Sequence, residues 1–229
     1  MPELSKYHEK HVRITDRWGN TLTGVADHFG PDYCLHDYGT EEDCLIIDGV
    51  MVFESDIVSV EEIEAHGTAE LRTERLKLRR LLPEDGEALY KYFGKEAGGE
   101  PLFGGAPFET PQAAEQAVKL IISAYGAGGF YAWAMDSDDV LFGAIGAMGR
   151  RDGSLEARFG VIGPCRGRGY APEALRRALE YLTENEGAPR ICARCRRDNL
   201  AALRAMEKAG MSPCGPEDPA FCFFEYVKK

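Results

Sequence analysis

The stretch Cys165-Arg166-Gly167-Arg168-Gly169-Tyr170-Ala171-Pro172-Glu173-Ala174-Leu175 joins two patterns of different period. Upstream, Leu155, Ala157, Phe159 and Val161 alternate with Glu156, Arg158 and Gly160, as on a strand with one covered face. Downstream, Ala171, Ala174, Leu175, Ala178, Leu179 and Leu182 recur at helical spacing. The joint is therefore a glycine- and arginine-rich turn that opens a helix. The first amides of a helix lack internal partners, and the helix dipole adds partial positive charge there. Anions bind such ends. Glycine removes the Cβ that would hold a phosphate off the backbone. Arg166 and Arg168 add charge-assisted hydrogen bonds. The bland alternative is a glycine turn that only caps the helix.

Two familiar phosphate loops do not fit. A P-loop needs Gly-Lys-Ser/Thr before its helix. A dinucleotide fingerprint needs a third glycine, but Tyr170-Ala171-Pro172 follows Gly169. The pattern that remains is R/Q-x-x-G-x-G/A, met by Arg166, Gly169 and Ala171. It resembles the coenzyme A pyrophosphate loop of the GNAT superfamily of N-acetyltransferases. The run E-A-R-F-G-V-I-G-P-C-R-G-R-G-Y-A-P-E-A-L is similar, without a gap, to a block of the branch that acetylates ribosomal-protein N-termini. L-R-T-E-R-L-K-L-R-R-L-L-P-E-D (Leu71 to Asp85) resembles that branch's opening strand and helix. C-R-R-D-N-L-A-A-L-R-A-M-E-K-A-G-M (Cys195 to Met211) resembles its closing block.

The rest of the chain reads in two parts. Met1 to His66 carries 4 Lys+Arg against 15 Asp+Glu and all 5 histidines, whereas the remainder is balanced at 23 against 23. Such a break in composition marks a domain boundary, here 1–66 and 67–229. The first part holds five short strand-like runs, HVRIT, TLTGVADHF, CLIID, MVF and DIVSVEEI. Gly30-Pro31 is a turn signal and Asp48-Gly49 a hairpin turn. Lys10 to Val25 and Phe53 to Ile63 resemble small Sm-like or SH3-like barrels. The second part reads β-α-α-β-β-β-α-β-α-β, with one late parallel crossover. The fold expected is α+β: a GNAT-type mixed, mostly antiparallel sheet flanked by helices, preceded by a small all-β barrel.

The resemblance implies direct transfer of an acetyl group from acetyl-CoA to a primary amine, on a small molecule or a protein N-terminus. Gly160, Val161 and Ile162 would offer backbone groups to the pantetheine arm, in the gap between two splayed central strands. Arg166, Gly167, Arg168, Gly169, Tyr170 and Ala171 would hold the pyrophosphate. Asn199 would lie near the arm, and also suits a helix N-cap. Glu156 matches the family glutamate on the strand before the loop and is the candidate general base. Its bland role is an exposed strand carboxylate paired with a basic residue. Met206 stands where many relatives place a tyrosine acid. Tyr131, Tyr170 and Tyr226 are the alternatives for that proton. Arg158 and Gly160 depart from the small and aromatic residues usual at their positions.

Seven cysteines without a framework pattern suit free thiols, and Cys192-x-x-Cys195 lies in a strand-like run, so no metal is expected. The polar N-terminus and the lack of a long apolar run point to the cytoplasm and away from membranes. The acidic first part disfavours nucleic acid and would draw a cationic acceptor. Two other readings stay open: a CoA-binding interaction or sensor protein without catalysis, and a nucleic-acid-associated module led by the barrel, against which the acidic balance argues. GNAT domains also often form a homodimer.

Overall fold

The computed structural model describes residues 3–47, 50–62, 67–94, 107–125, 129–137, 140–150 and 152–227, apart from the side chain of Tyr92. The expected turn at Asp48-Gly49, and Ile63 to His66 of the joint, lie outside them.

The first part is a five-stranded antiparallel sheet. Its strands are β1 (Lys10–Asp16), β2 (Thr21–Phe29), β3 (Cys44–Ile47), β4 (Val50–Phe53) and β5 (Ile57–Glu62), in the order β4-β3-β2-β1-β5. All five expected strands form. Leu4, Tyr7, Val12, Ile14, Leu22, Ala26, Leu45, Ile47 and Val52 make its core. The closed barrel does not form: among the described residues, the edge strands β4 and β5 share no ladder. Only the helical turn Glu54–Asp56 separates them, although they sit at opposite edges. Three residues span roughly 10 Å at most, so the sheet must curl until its edges nearly meet. The supposed turn at Gly30-Pro31 instead opens helix α1 (Pro31–Tyr38). Pro31 takes an early position where its missing N–H costs nothing.

The second part is an eight-stranded sheet in the order β12-β13-β11-β10-β9-β8-β7-β6. Its strands are β6 (Leu71–Arg72), β7 (Lys77–Arg79), β8 (Phe130–Ser137), β9 (Val140–Gly149), β10 (Leu155–Val161), β11 (Arg190–Arg196), β12 (Ser212–Cys214) and β13 (Phe221–Val227). Helices α2 (Asp85–Phe93) and α3 (Pro111–Ser123) cover one face. Helices α4 (Tyr170–Glu184) and α5 (Leu200–Lys208) cover the other. Thr110 caps α3 as expected, its side chain accepting from the Ala113 amide. The α4 face fills the larger core with Ala174, Leu175, Ala178, Leu179 and Leu182 against Leu155, Ala157 and Val161. Trp133 is fully buried in that core and donates its indole N–H to the Ala69 carbonyl at 2.7 Å.

A buried ion cluster ties α2 to the sheet. Arg79 on β7 donates to Asp136 on β8 at 2.8 Å, and to both oxygens of Asp85 at 2.8 and 3.0 Å. Removing one partner of such a set strands a buried charge and costs about 3–5 kcal/mol.

The two sheets meet at the turns that precede β10 and β11. A Cβ on Gly153 would lie 2.6 Å from the Thr21 carbonyl oxygen, and one on Gly187 would lie 2.0 Å from Arg13 Nη2. Glu186 beside it is buried and accepts from the Tyr131 and Tyr181 hydroxyls at 3.0 and 2.8 Å. The acidic first part therefore sits at the starts of β10 and β11, away from the glycine loop at the end of β10. Gly153 also has φ +74°, in the left-handed region. Gly153→Ala is expected to cost about 1–2 kcal/mol in backbone strain alone. That lowers the thermal midpoint by roughly 2–8 °C, read by calorimetry.

Candidate active site

The site begins with a parting of strands. β10 and β11 run parallel, but pair only at Leu155–Ile191 and Glu156–Cys192. β10 then continues on β9 to Val161, while β11 continues on β13 to Arg196. A gap opens from Glu156 onward. Strand residues alternate the edge to which they direct their amide and carbonyl. Ile162 donates to the Phe142 carbonyl at 2.9 Å, toward β9. Gly160 has that same direction, since its oxygen lies 2.5 Å from where a Gly143 Cβ would be. Phe159 and Val161 thus turn their backbone groups to the gap. Of the expected set, Gly160 and Ile162 direct their backbone groups to β9 and Val161 directs its own to the gap, beside Phe159. Buried backbone groups on such an edge need a partner other than a strand, as the Val161 carbonyl has in Arg166.

At the open end the chain turns through a short helical turn, Gly163–Cys165, into the loop. Arg166 donates Nε to the Val161 carbonyl at 3.0 Å, which draws its guanidinium back over the end of β10. Gly167 and Gly169 have φ +77° and +80°. Gly169 is the N-cap of α4. Residues with a Cβ pay to adopt that conformation, which here turns the loop into the helix. Arg168 is exposed; Tyr170 and Ala171 form the first turn, half-buried. Nothing lies within 4 Å of where a Gly167 Cβ would be, so the cradle is open on that side. These features fit a pyrophosphate: permissive glycines, a helix N-terminus and two arginines.

The loop is braced by residues that local sequence did not flag. Arg75, in the segment between β6 and β7, donates Nε to Glu173 Oε2 at 2.7 Å and Nη1 to the Arg168 carbonyl at 3.0 Å. Its Nη2 also contacts Glu173. Thr73 donates its hydroxyl to Glu173 Oε1 at 2.5 Å. The Arg75 guanidinium stacks over the Tyr170 ring, 4.9 Å from its centroid, and that ring packs on Phe142. Burial acts to raise the Glu173 carboxyl, but the bonds from Thr73 and Arg75 outweigh it and hold the group below its usual range. The brace spans nearly a hundred positions of chain, so no short motif reveals it.

Asn199 accepts from the Ala202 amide at 3.1 Å and caps α5, as expected. It lies just past the end of β11, across the gap from β10. The cap uses its oxygen; its NH2 is the part suited to a ligand.

Glu156 stands at the fork. Its Oε1 accepts from Arg158 Nη2 at 2.8 Å and lies 3.8 Å from Arg194 Nε, and its Oε2 lies 3.6 Å from Arg150 Nη1. Glu156 is thus a carboxylate paired with basic residues, as in the alternative to a catalytic role. Met206 is buried and offers no proton. Tyr131 binds Glu186 on the opposite face. Tyr226 is raised by burial, helped by Glu180 and Glu184, and packs beside Gly210. Both pack with the α4 core, whereas Tyr170 lies at the loop. Cys192 and Cys195 point to opposite faces of β11, Cys195 into the core. Among the described residues no group of three metal-ligating side chains forms.

The family model for the acetyltransferase (GNAT) domain matches residues 75–212, from the brace through α5. The chain belongs to the GNAT acetyltransferase family. An uncharacterised N-acetyltransferase of Bacillus subtilis strain 168, YjdG, is 28% identical over 156 residues, covering 61% of this chain and 88% of the relative. Two solved structures share the fold. A ribosomal-protein-S5-alanine acetyltransferase from Vibrio fischeri has TM-score 0.60 at 12% identity, covering 69% of this chain and 96% of its own. RimJ from Mycobacterium smegmatis, in complex with CoA-disulfide, has TM-score 0.57 at 15% identity, covering 66% and 81%. The first sheet lies before the matched residues.

The brace gives a direct test. Arg75→Gln removes charge-assisted bonds worth about 1.5–3 kcal/mol. It is expected to weaken acetyl-CoA binding roughly ten- to a hundredfold in a calorimetric titration. Gly169→Glu, which puts a carboxylate at the cradle, is expected to abolish it.

Proposed function

We propose that the protein is an N-acetyltransferase that moves the acetyl group of acetyl-CoA directly to a primary amine, with both substrates bound together. The observation that carries this is the parting of β10 and β11 after Glu156, with a braced glycine–arginine loop at its open end. Acetyl-CoA supplies an acetyl thioester, an acyl donor already reactive toward a neutral amine. Arg166 to Ala171 hold the pyrophosphate; Phe159, Val161 and Asn199 line the path of the arm. Glu156 takes the proton from the acceptor ammonium, directly or through a water. The acceptor class is a primary amine, on a small molecule or a protein N-terminus.

Residues 1–66 act as a separate small module of Sm-like or SH3-like kind, and 67–229 as the catalytic domain. The curled five-stranded order and the clean division of strands between two sheets support this. No described helix is long and apolar enough to cross a membrane.

Buried Met206 and the ion-paired Glu156 favour a second reading, a CoA-binding sensor without turnover. Release of free thiol from acetyl-CoA with any amine removes it. In the first reading, Glu156→Gln lowers kcat by about 100-fold or more while acetyl-CoA affinity stays within twofold. An unchanged kcat would take the base role from Glu156.

A further inference from the structure

Paired strand residues share a face of the sheet. Glu156 pairs with Met148 and Cys192, Arg158 with Gly146, and Arg194 with Phe223. These side chains lie together on the face opposite the α4 core, at and just beyond the fork. They carry an imbalance: three guanidiniums, of Arg150, Arg158 and Arg194, gather around the single carboxylate of Glu156. Asp152 and Glu225 lie beside it on Arg190, at 2.6 and 3.7 Å, and Asp152 also acts on Arg150, so the wider set holds four guanidiniums against three carboxylates, an excess of one. The cluster is reachable, with Arg158 30% and Arg194 47% exposed.

Gly146 stands across from Arg158, and Gly160 follows it on the same face. Arg194 stacks over Phe221, which fixes one side of its planar fork. Met148, 43% exposed, and half-buried Phe223 supply apolar floor.

We infer that the acceptor is an amine that also carries a carboxylate, held by Arg158 and Arg194 on this face. The inference rests on the acetyltransferase reading above. The three carboxylates leave one guanidinium in excess, and a further carboxylate, from the acceptor, can take Arg158 in a two-point bond. That exchange also frees a Glu156 oxygen to accept the ammonium proton. The neutral amine then attacks the thioester carbonyl, an N–C bond forms and the C–S bond breaks. The products are the amide, CoA thiol and one proton released to water. The expectation of a cationic acceptor is thereby reversed: the face beside the fork is cationic, whatever the net charge of the first sheet.

The test measures thiol release by the full chain from acetyl-CoA, with matched acceptors. These are free amino acids, their amides, the corresponding decarboxylated amines, and short peptides with Glu or Lys behind the N-terminus. Acetyl-CoA binding is measured alongside. The expected result is turnover of carboxylate-bearing acceptors at least tenfold above their neutral counterparts. Arg158→Gln and Arg194→Gln should each raise KM for those acceptors tenfold or more. Neither should alter acetyl-CoA affinity, and Arg158→Lys should recover part of the loss. The amino-acid and peptide arms tell a free carboxylate from an acidic side chain. Acetyl-CoA binding with turnover equal or better for neutral or cationic amines overturns the inference and leaves the acetyltransferase reading intact. Binding with no carboxylate acceptor acetylated likewise overturns it. Failure to bind acetyl-CoA overturns the acetyltransferase reading itself, and this inference with it.

Discussion

Two parallel strands that begin side by side and then part leave a row of backbone groups without a strand to satisfy them. In this protein β10 and β11 do so after Glu156. An open edge of that kind inside a sheet is costly unless something fills it. The remaining architecture is arranged around that opening. β9 and β13 hold the diverging strands from outside, α4 starts at the open end, and Asn199 stands just past the end of the other arm. The closed end is blocked by the turns at Gly153 and Gly187, where the first sheet packs.

The loop at the open end would be a weak device alone, since two glycines at positive φ carry a high entropic cost on ordering. Arg75 reduces that freedom by gripping the loop at two points, the Glu173 carboxylate and the Arg168 carbonyl. Glu173 lies in the first turn of α4, so one side chain sets both the loop and the start of the helix. An acidic residue there also suits the helix dipole. Beside it Arg168 stays exposed and Arg166 holds the Val161 carbonyl.

Sequence carried the local part of this account well. The strand-to-helix switch at Arg166–Ala171 was legible because both periodicities are strong and meet at glycines. Thr110 and Asn199 were legible as caps because capping is a contact within three residues. What depended on long-range pairing was not. The direction of Gly160 and Ile162 follows from β9, and the brace from Thr73 and Arg75 to Glu173 joins distant segments. Arg150 follows β9, while Arg158 and Arg194 lie within β10 and β11, and the three converge only in the folded sheet. The barrel reading found all five strands, yet strand existence does not decide closure, which is settled by the curl between β4 and β5. At Gly30-Pro31 a turn signal was a helix start, because proline is equally at home in both.

The central claim is that the gap and its braced loop bind the coenzyme, and hydrogen exchange of the full chain with and without acetyl-CoA tests it most directly. The account predicts slowed exchange over residues 159–175 and at the start of α5. It predicts little change in β1 to β5. Unchanged exchange across the loop, or protection confined to the first sheet, would contradict it.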